Sequence, residues 1–151
     1  MDFSTFKTNL GTLVKAVKIT TPATVQINRF FWGAPTQAVT DLPAVIGALT
    51  ESERTLGFGS REQMVRINLQ VMVAKASPDN TKNADIATAL WFAFKDTFDK
   101  SATVNGAVAW STLRGGDPTV PVILTHAGQA YIGFNSYLDI QDYEGFDFGG
   151  S

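Results

Sequence analysis

The chain has 151 residues, 44% hydrophobic and 17% charged, a composition that fits a soluble globular protein with room for one domain and its core. Twelve Lys and Arg against fourteen Asp and Glu leave a formal charge of -2, so no overall field recruits nucleic acid or an anionic membrane. The absence of cysteine excludes disulfide staples, thiolate metal sites and a cysteine nucleophile, and leaves the redox compartment open; the single histidine, His126, excludes a multi-histidine metal site.

The most apolar stretch, Phe30 to Leu49, is broken by Pro35, Asp41 and Pro43, so no transmembrane helix is expected. Met1-Asp2-Phe3 and the lysines behind it lack the order of a signal peptide, and no export by that route is expected. Phe3, Phe6, Leu10, Leu13, Val14 and Val17 recur at helical spacing and predict a first helix capped by Asp2 and ended by Thr20-Thr21-Pro22. Val25 to Asn28 alternates like a short strand, while Phe30-Phe31-Trp32-Gly33-Ala34-Pro35 does not continue the pattern and is read as a packed loop. Val45 to Leu49 reads as a strand, with the polar Glu51 to Arg54 and the glycine-rich Gly57 to Ser60 as a solvated reversal.

From Arg61 to Lys75 the period is two: Val65, Ile67, Leu69, Val71 and Val73 share one face, and Met64, Arg66, Asn68, Gln70 and Met72 the other. Ser77-Pro78-Asp79-Asn80 is a break, and a second helix is predicted from Ala84 to about Phe98, capped near Asn83. Val104, Ala107, Val108 and Trp110 form a weakly patterned strand segment around an Asn105-Gly106 turn, before a break at Gly115 to Pro118. Val120 to Thr125, a turn at Ala127-Gly128-Gln129 and a strand from Ala130 to Ile140 make a closing hairpin. The fold class is therefore α+β: a mostly antiparallel sheet with a long hairpin over about residues 48–75 and two main helices in one domain, 1–141, followed by an acidic, glycine-bearing tail, 142–151.

Candidate chemistry is sparse. A serine hydrolase would use His126 with Asp117 or Asp139, but no serine sits in a nucleophile elbow. Gly57 to Arg61 and Arg114 to Asp117 lack the glycine spacing and lysine of a phosphate loop. Glu51, Glu53, Asp79 and Asp85 lack the regular ligand spacing of a calcium-binding hand. No catalysis, cofactor or metal is expected.

The surface features speak to assembly instead. Lys7, Lys15 and Lys18 fall within a sector of about 80° on the first helix, a basic stripe suited to lining a ring. On the second helix Phe92 projects among Asp85, Thr88, Asp96 and Asp99 and is a candidate anchor for another chain. A domain of this size is about 40 Å across, whereas Arg61 to Lys75 extended would reach about 50 Å. The strand either bends around its own core, or its Gly57-Phe58-Gly59 end projects and its apolar face, Val65, Ile67 and Leu69, meets a neighbouring subunit with Arg61. The projecting hairpin is the preferred expectation.

In the order of these features the chain resembles the tail-terminator proteins of long-tailed bacteriophages, also called tail-completion or minor tail proteins. The resemblance is one of layout: the helix from Phe3 to Val17, the Leu42-Pro43-Ala44-Val45 entry to a strand, the hairpin ending in Met64 to Val71, the Ala84-to-Phe98 helix and the closing strand from Tyr131 to Ile140. It implies a homohexameric ring in the virion, assembled in the host cytoplasm, that caps the tail tube, ends its polymerisation and offers the head-joining surface. The implied partners are further copies of the chain, the tail tube protein and a head-tail connector or neck protein; DNA passing through the lumen would meet the ring without sequence recognition, and no membrane is involved. Neck proteins share a similar α+β design and stay open as the alternative. A different class also stays open: a small-molecule-binding domain whose Phe30, Phe31, Trp32, Trp91 and Trp110 line one apolar pocket.

Overall fold

The computed structural model describes residues 2–57, 60–115 and 121–142. Helix α1, Phe3–Lys15, starts where the Asp2 carboxylate accepts the Ser4 amide at 3.0 Å and the Thr5 hydroxyl at 2.9 Å. It ends two residues before the predicted Val17. The Val17 amide bonds Val14, and the chain passes into β1, Lys18–Ile19, which pairs with β2, Val25–Gln26. Val17 stays buried, so its apolar spacing survives into the turn and imitates another half-turn of helix.

The remaining strands form a six-stranded mixed sheet. Strand β3, Arg29–Trp32, lies parallel to β4, Ala44–Gly57; β4 pairs antiparallel with β5, Ser60–Lys75; and β5 pairs antiparallel with β8, Gln129–Asp142. The other edge of β8 carries β7, Val122–His126, along its first half and β6, Trp110–Gly115, along its second. Helix α2, Thr81–Lys100, joins β5 to β6 and is longer than predicted at both ends. Its first turn is held by Asp79, not Asn83: the Asp79 carboxylate accepts both the Thr81 amide and hydroxyl, and these bonds hold its pKa below the ordinary value. With two main helices and one large sheet, the chain has an α+β fold.

Two segments depart from expectation. Phe30 to Trp32, read as loop, is strand β3. Phe30 and Trp32 pack on the main core, with Phe30 against Gly11 and Gly47 and Trp32 edge-on to Phe3 at 5.1 Å, while Phe31 joins a smaller cluster on the opposite face. A strand apolar on both faces carries no period-two signal. Glu51 to Arg54, read as part of a reversal, continues β4, which stays paired with β5 as far as Gly57 opposite Ser60. A bulge at Thr50 separates the apolar from the polar half of β4.

The segment around Val104 to Val108 is a turn, with Val104, Asn105 and Gly106 at positive φ, and the strand begins only at Trp110. The closing hairpin forms as predicted: Ala127 and Gly128, φ 49° and 77°, join β7 to β8 with the two left-handed residues of a type I′ turn. At Gly133, opposite the bulge in β5, a Cβ would overlap the Val71 carbonyl, so only glycine lets the two strands approach this closely.

The two helices lie across one face of the sheet. Phe6, Leu10 and Val14 from α1 and Leu90, Phe94 and Phe98 from α2 pack on Val45, Val65, Ile67, Leu69, Val71, Phe134, Leu138 and Ile140, nearly all with no exposed surface. This corrects the expectation for β5. Val65, Ile67 and Leu69 do not wait for a neighbouring subunit; they are the centre of the chain's own core, because β5 crosses beneath both helices instead of overhanging them. Of the hairpin expected to project over 48–75, β8 accompanies β5 from Gln63 to Lys75, and among the described residues only Thr55–Gly57 with Ser60–Glu62 runs past it as a two-stranded ribbon.

Candidate assembly surface

Alternation along a strand sends every second residue to the far side of the sheet, and there the molecule is divided in two. At one end, Ala44, Ile46, Met72 and Tyr131 form a second small cluster with Val39, Phe31, Leu42 and Leu124. The segment carrying Val39 is pinned by the buried Tyr131 hydroxyl, which accepts the Val39 amide at 2.9 Å and donates to its carbonyl at 3.2 Å. At the other end no element among the described residues lies over the sheet.

Three cross-strand rows make this open end: Met64, Gln141 and Trp110; then Arg66, Asp139 and Thr112; then Asn68, Tyr137 and Arg114. Arg66 grips Asp139 with two bonds, 2.7 and 3.1 Å, and its guanidinium lies over the Tyr137 ring. Arg114 donates from Nε to the same carboxylate at 2.9 Å. The Arg66 hydrogen bond, aided by the charges of both arginines, holds the Asp139 carboxyl below the ordinary carboxylate range, against the partial burial that would raise it. Asn68 donates to the Asn135 side-chain oxygen at 2.6 Å and to the Ser136 carbonyl at 3.2 Å. Beside this fixed polar network, Trp110 is 56% exposed and Met64 47%.

The residues singled out in the sequence are scattered. Gly57 and Arg61 sit on the two strands of the protruding ribbon; Phe58 and Gly59 lie outside the described residues, as does 143–151 of the acidic tail. Phe92 is 67% exposed on α2, as its odd position in the helix pattern implied. The basic stripe does not survive as drawn: Lys15 is exposed in the last turn of α1 and Lys18 is exposed on β1, while Lys7 is half-buried with its Nζ over the Phe3 ring. The five aromatic residues nominated for one pocket point to different places. Trp91 stacks edge-on to Phe134 under α2, Phe30 and Trp32 lie near α1, Phe31 is on the opposite face and Trp110 faces outward.

A groove of about 430 Å³ beside β2 is lined by Thr24, Gln26, Asn28, Leu42 and Pro43, with none of those aromatics. His126 ends β7 opposite Gln129, about ten positions along β8 and roughly 33 Å from Asp139, so that nominated pair does not form. Asp117 lies outside the described residues. Among the described residues no group of three or more His, Asp or Glu could hold a metal ion, and no helix is long and apolar enough to cross a membrane.

The network of Arg66, Asp139 and Arg114 was missed as a unit. Its parts were visible, because the alternation placed Arg66 on the polar side of β5 and Asp139 on the polar side of β8. What was missing was the register that sets them opposite each other, and a register cannot be read from either strand separately. No protein-family model matches the chain, and no curated protein matches it either.

Proposed function

We propose that this chain is a structural virion protein, an α+β subunit that closes into a homohexameric ring, caps the phage tail tube, ends its polymerisation and presents the head-joining surface. One observation supports this reading above the others: among the described residues the β4–β5 ribbon runs three residue pairs beyond the last β8 pair, Gln63 with Asp142, and β4 past Gly47 has no strand on its outer edge. An open edge and a protruding ribbon are features through which copies of a chain pair, and a heterologous contact of this kind gives a ring when the rotation closes. Phe92, Lys15 and Lys18 are the exposed residues available to further contacts and to the lumen.

The core is complete within one chain, so assembly is a surface event separable from folding. Deleting residues 53–60 is expected to leave a folded chain, with its helical circular dichroism intact, that no longer forms a ring in size-exclusion chromatography with light scattering. Unchanged assembly of that variant, or an intact chain that stays monomeric at every concentration and forms no ring with tube protein, defeats the reading. Mixing the chain separately with tube and neck proteins distinguishes a terminator from a connector: a terminator shortens growing tubes, and a connector does not.

A further inference from the structure

The open end of the sheet is bare along two edges that lie level with each other. Strand β3 accompanies β4 only as far as Gly47, and Gly47 stands in the row of Leu69, Ser136 and Gly115, where β6 ends. Beyond that row the register carries Glu51 of β4 across Arg66 and Asp139 to Thr112 of β6. Among the described residues, neither the outer edge of β4 past Gly47 nor that of β6 has a strand beside it. A bare edge is a row of backbone donors and acceptors that a further strand can satisfy.

Three features show what fits these edges. The first is the sense of the strands. Since β4, β5, β8 and β6 alternate antiparallel, β4 of a second copy in the same orientation, laid beside β6, continues the alternation. The second is apolar surface. Leu49, 47% exposed, stands on the helix side of β4, and Trp110, 56% exposed, on the open face of β6; each is covered when a strand is laid against its edge. The third is charge. Arg114 on β6 is 63% exposed, and among the described residues only its Nε is engaged, by Asp139. The register puts the acidic Glu51 on the corresponding face of β4, so that with rows aligned it stands diagonal to Arg114 of the neighbour, within reach of a long side chain.

We infer that β6 of one copy takes the open stretch of β4 of the next as an added strand, and that the sheets of neighbouring copies run into one. The inference rests on the reading that copies of this chain assemble, and it names the joint between them. The joint is heterologous, so each copy offers one edge to the neighbour on either side.

The chain has no cysteine, so Ala48→Cys and Thr112→Cys each place a single thiol on one of the two edge strands of the full-length protein. The two variants, co-expressed with distinguishable tags, are treated with a short bismaleimide. The expected result is a covalent mixed dimer several-fold more abundant than the dimer either variant gives alone. A dimer that forms chiefly from Ala48→Cys alone, or from Thr112→Cys alone, overturns the inference, because copies then meet like edge to like edge. Rings in size-exclusion chromatography with light scattering that give no mixed cross-link overturn it too, and leave the ring reading standing. Mixed cross-links in open chains that never close uphold the joint and end the ring reading. A chain that stays monomeric and free of cross-links at every concentration ends both.

Discussion

Val65, Ile67, Leu69 and Val71 leave the same strand as Met64, Arg66, Asn68 and Gln70, yet the two sets live in different solvents. The first set is sealed beneath α1 and α2; the second shares its face with a short covered cluster at one end and with water at the other. The difference lies in what the alternate residues can do when uncovered. An apolar face must find a cover before the chain is stable, and here it finds it at home. A polar face whose hydrogen bonds are already satisfied between strands can stay open and be used later, without unfolding anything.

The comparison breaks most sharply in the core. Phe134 is fully buried on β8 and meets Trp91 and Phe94 edge-on, both at 5.6 Å. Phe134→Ala is expected to cost about 3–5 kcal/mol in denaturant unfolding, because the helices cannot collapse fully into the space left. A loss below about 1 kcal/mol would mean that the helices are not held on this face in solution.

The core was the part most legible in the sequence. The helical spacing from Phe6 to Val14 marks the buried side of α1, and the alternation from Met64 to Val71 marks the apolar side of β5 although not what covers it; both leave a clean period because over these residues the opposite side stays at least partly open. The reading failed where that condition failed. Phe30 and Phe31 are covered on opposite faces, so β3 has no period. The polar half of β4 owes its strand conformation to backbone bonds with β5, to which its side-chain sequence is mute. The assignment of Val65, Ile67 and Leu69 to a partner came from comparing strand length with a mean diameter, and a sheet can span the long dimension of its own body. Of the candidate surface, the exposure of Phe92 was legible from its helix position, but the Arg66-Asp139-Arg114 cluster was not, because it needs two registers at once.

A smaller effect is expected where the outer face is covered. Tyr131→Phe removes the hydroxyl that satisfies both backbone groups of Val39, leaving a buried amide and carbonyl without their partner. The expected loss is about 1–3 kcal/mol, with faster hydrogen exchange at the Val39 amide than elsewhere in the sheet. If stability falls but Val39 exchange is unchanged, the hydroxyl is not what holds this segment down.

The smallest effect belongs to the open end, and its pH dependence identifies it. Asp139 has its pKa lowered in the folded chain, chiefly by the hydrogen bond from Arg66, so the folded state binds its proton less readily than the unfolded state does. Its contribution is therefore fully present above the ordinary carboxylate value of about 3.9 and fades as the pH falls through the lower folded value. Both arginines are substantially exposed, 39% and 63%, and water weakens the pairing, so Asp139→Asn should cost about 1 kcal/mol or less at neutral pH. Unfolding curves of the two proteins should stay separated from pH 7 to about pH 5 and converge below about pH 4. A gap that persists undiminished in acid would show that Asp139 acts through the shape of its carboxyl and not its charge, and the polar rows would then be packing for the sheet, not a charged surface held ready for a partner.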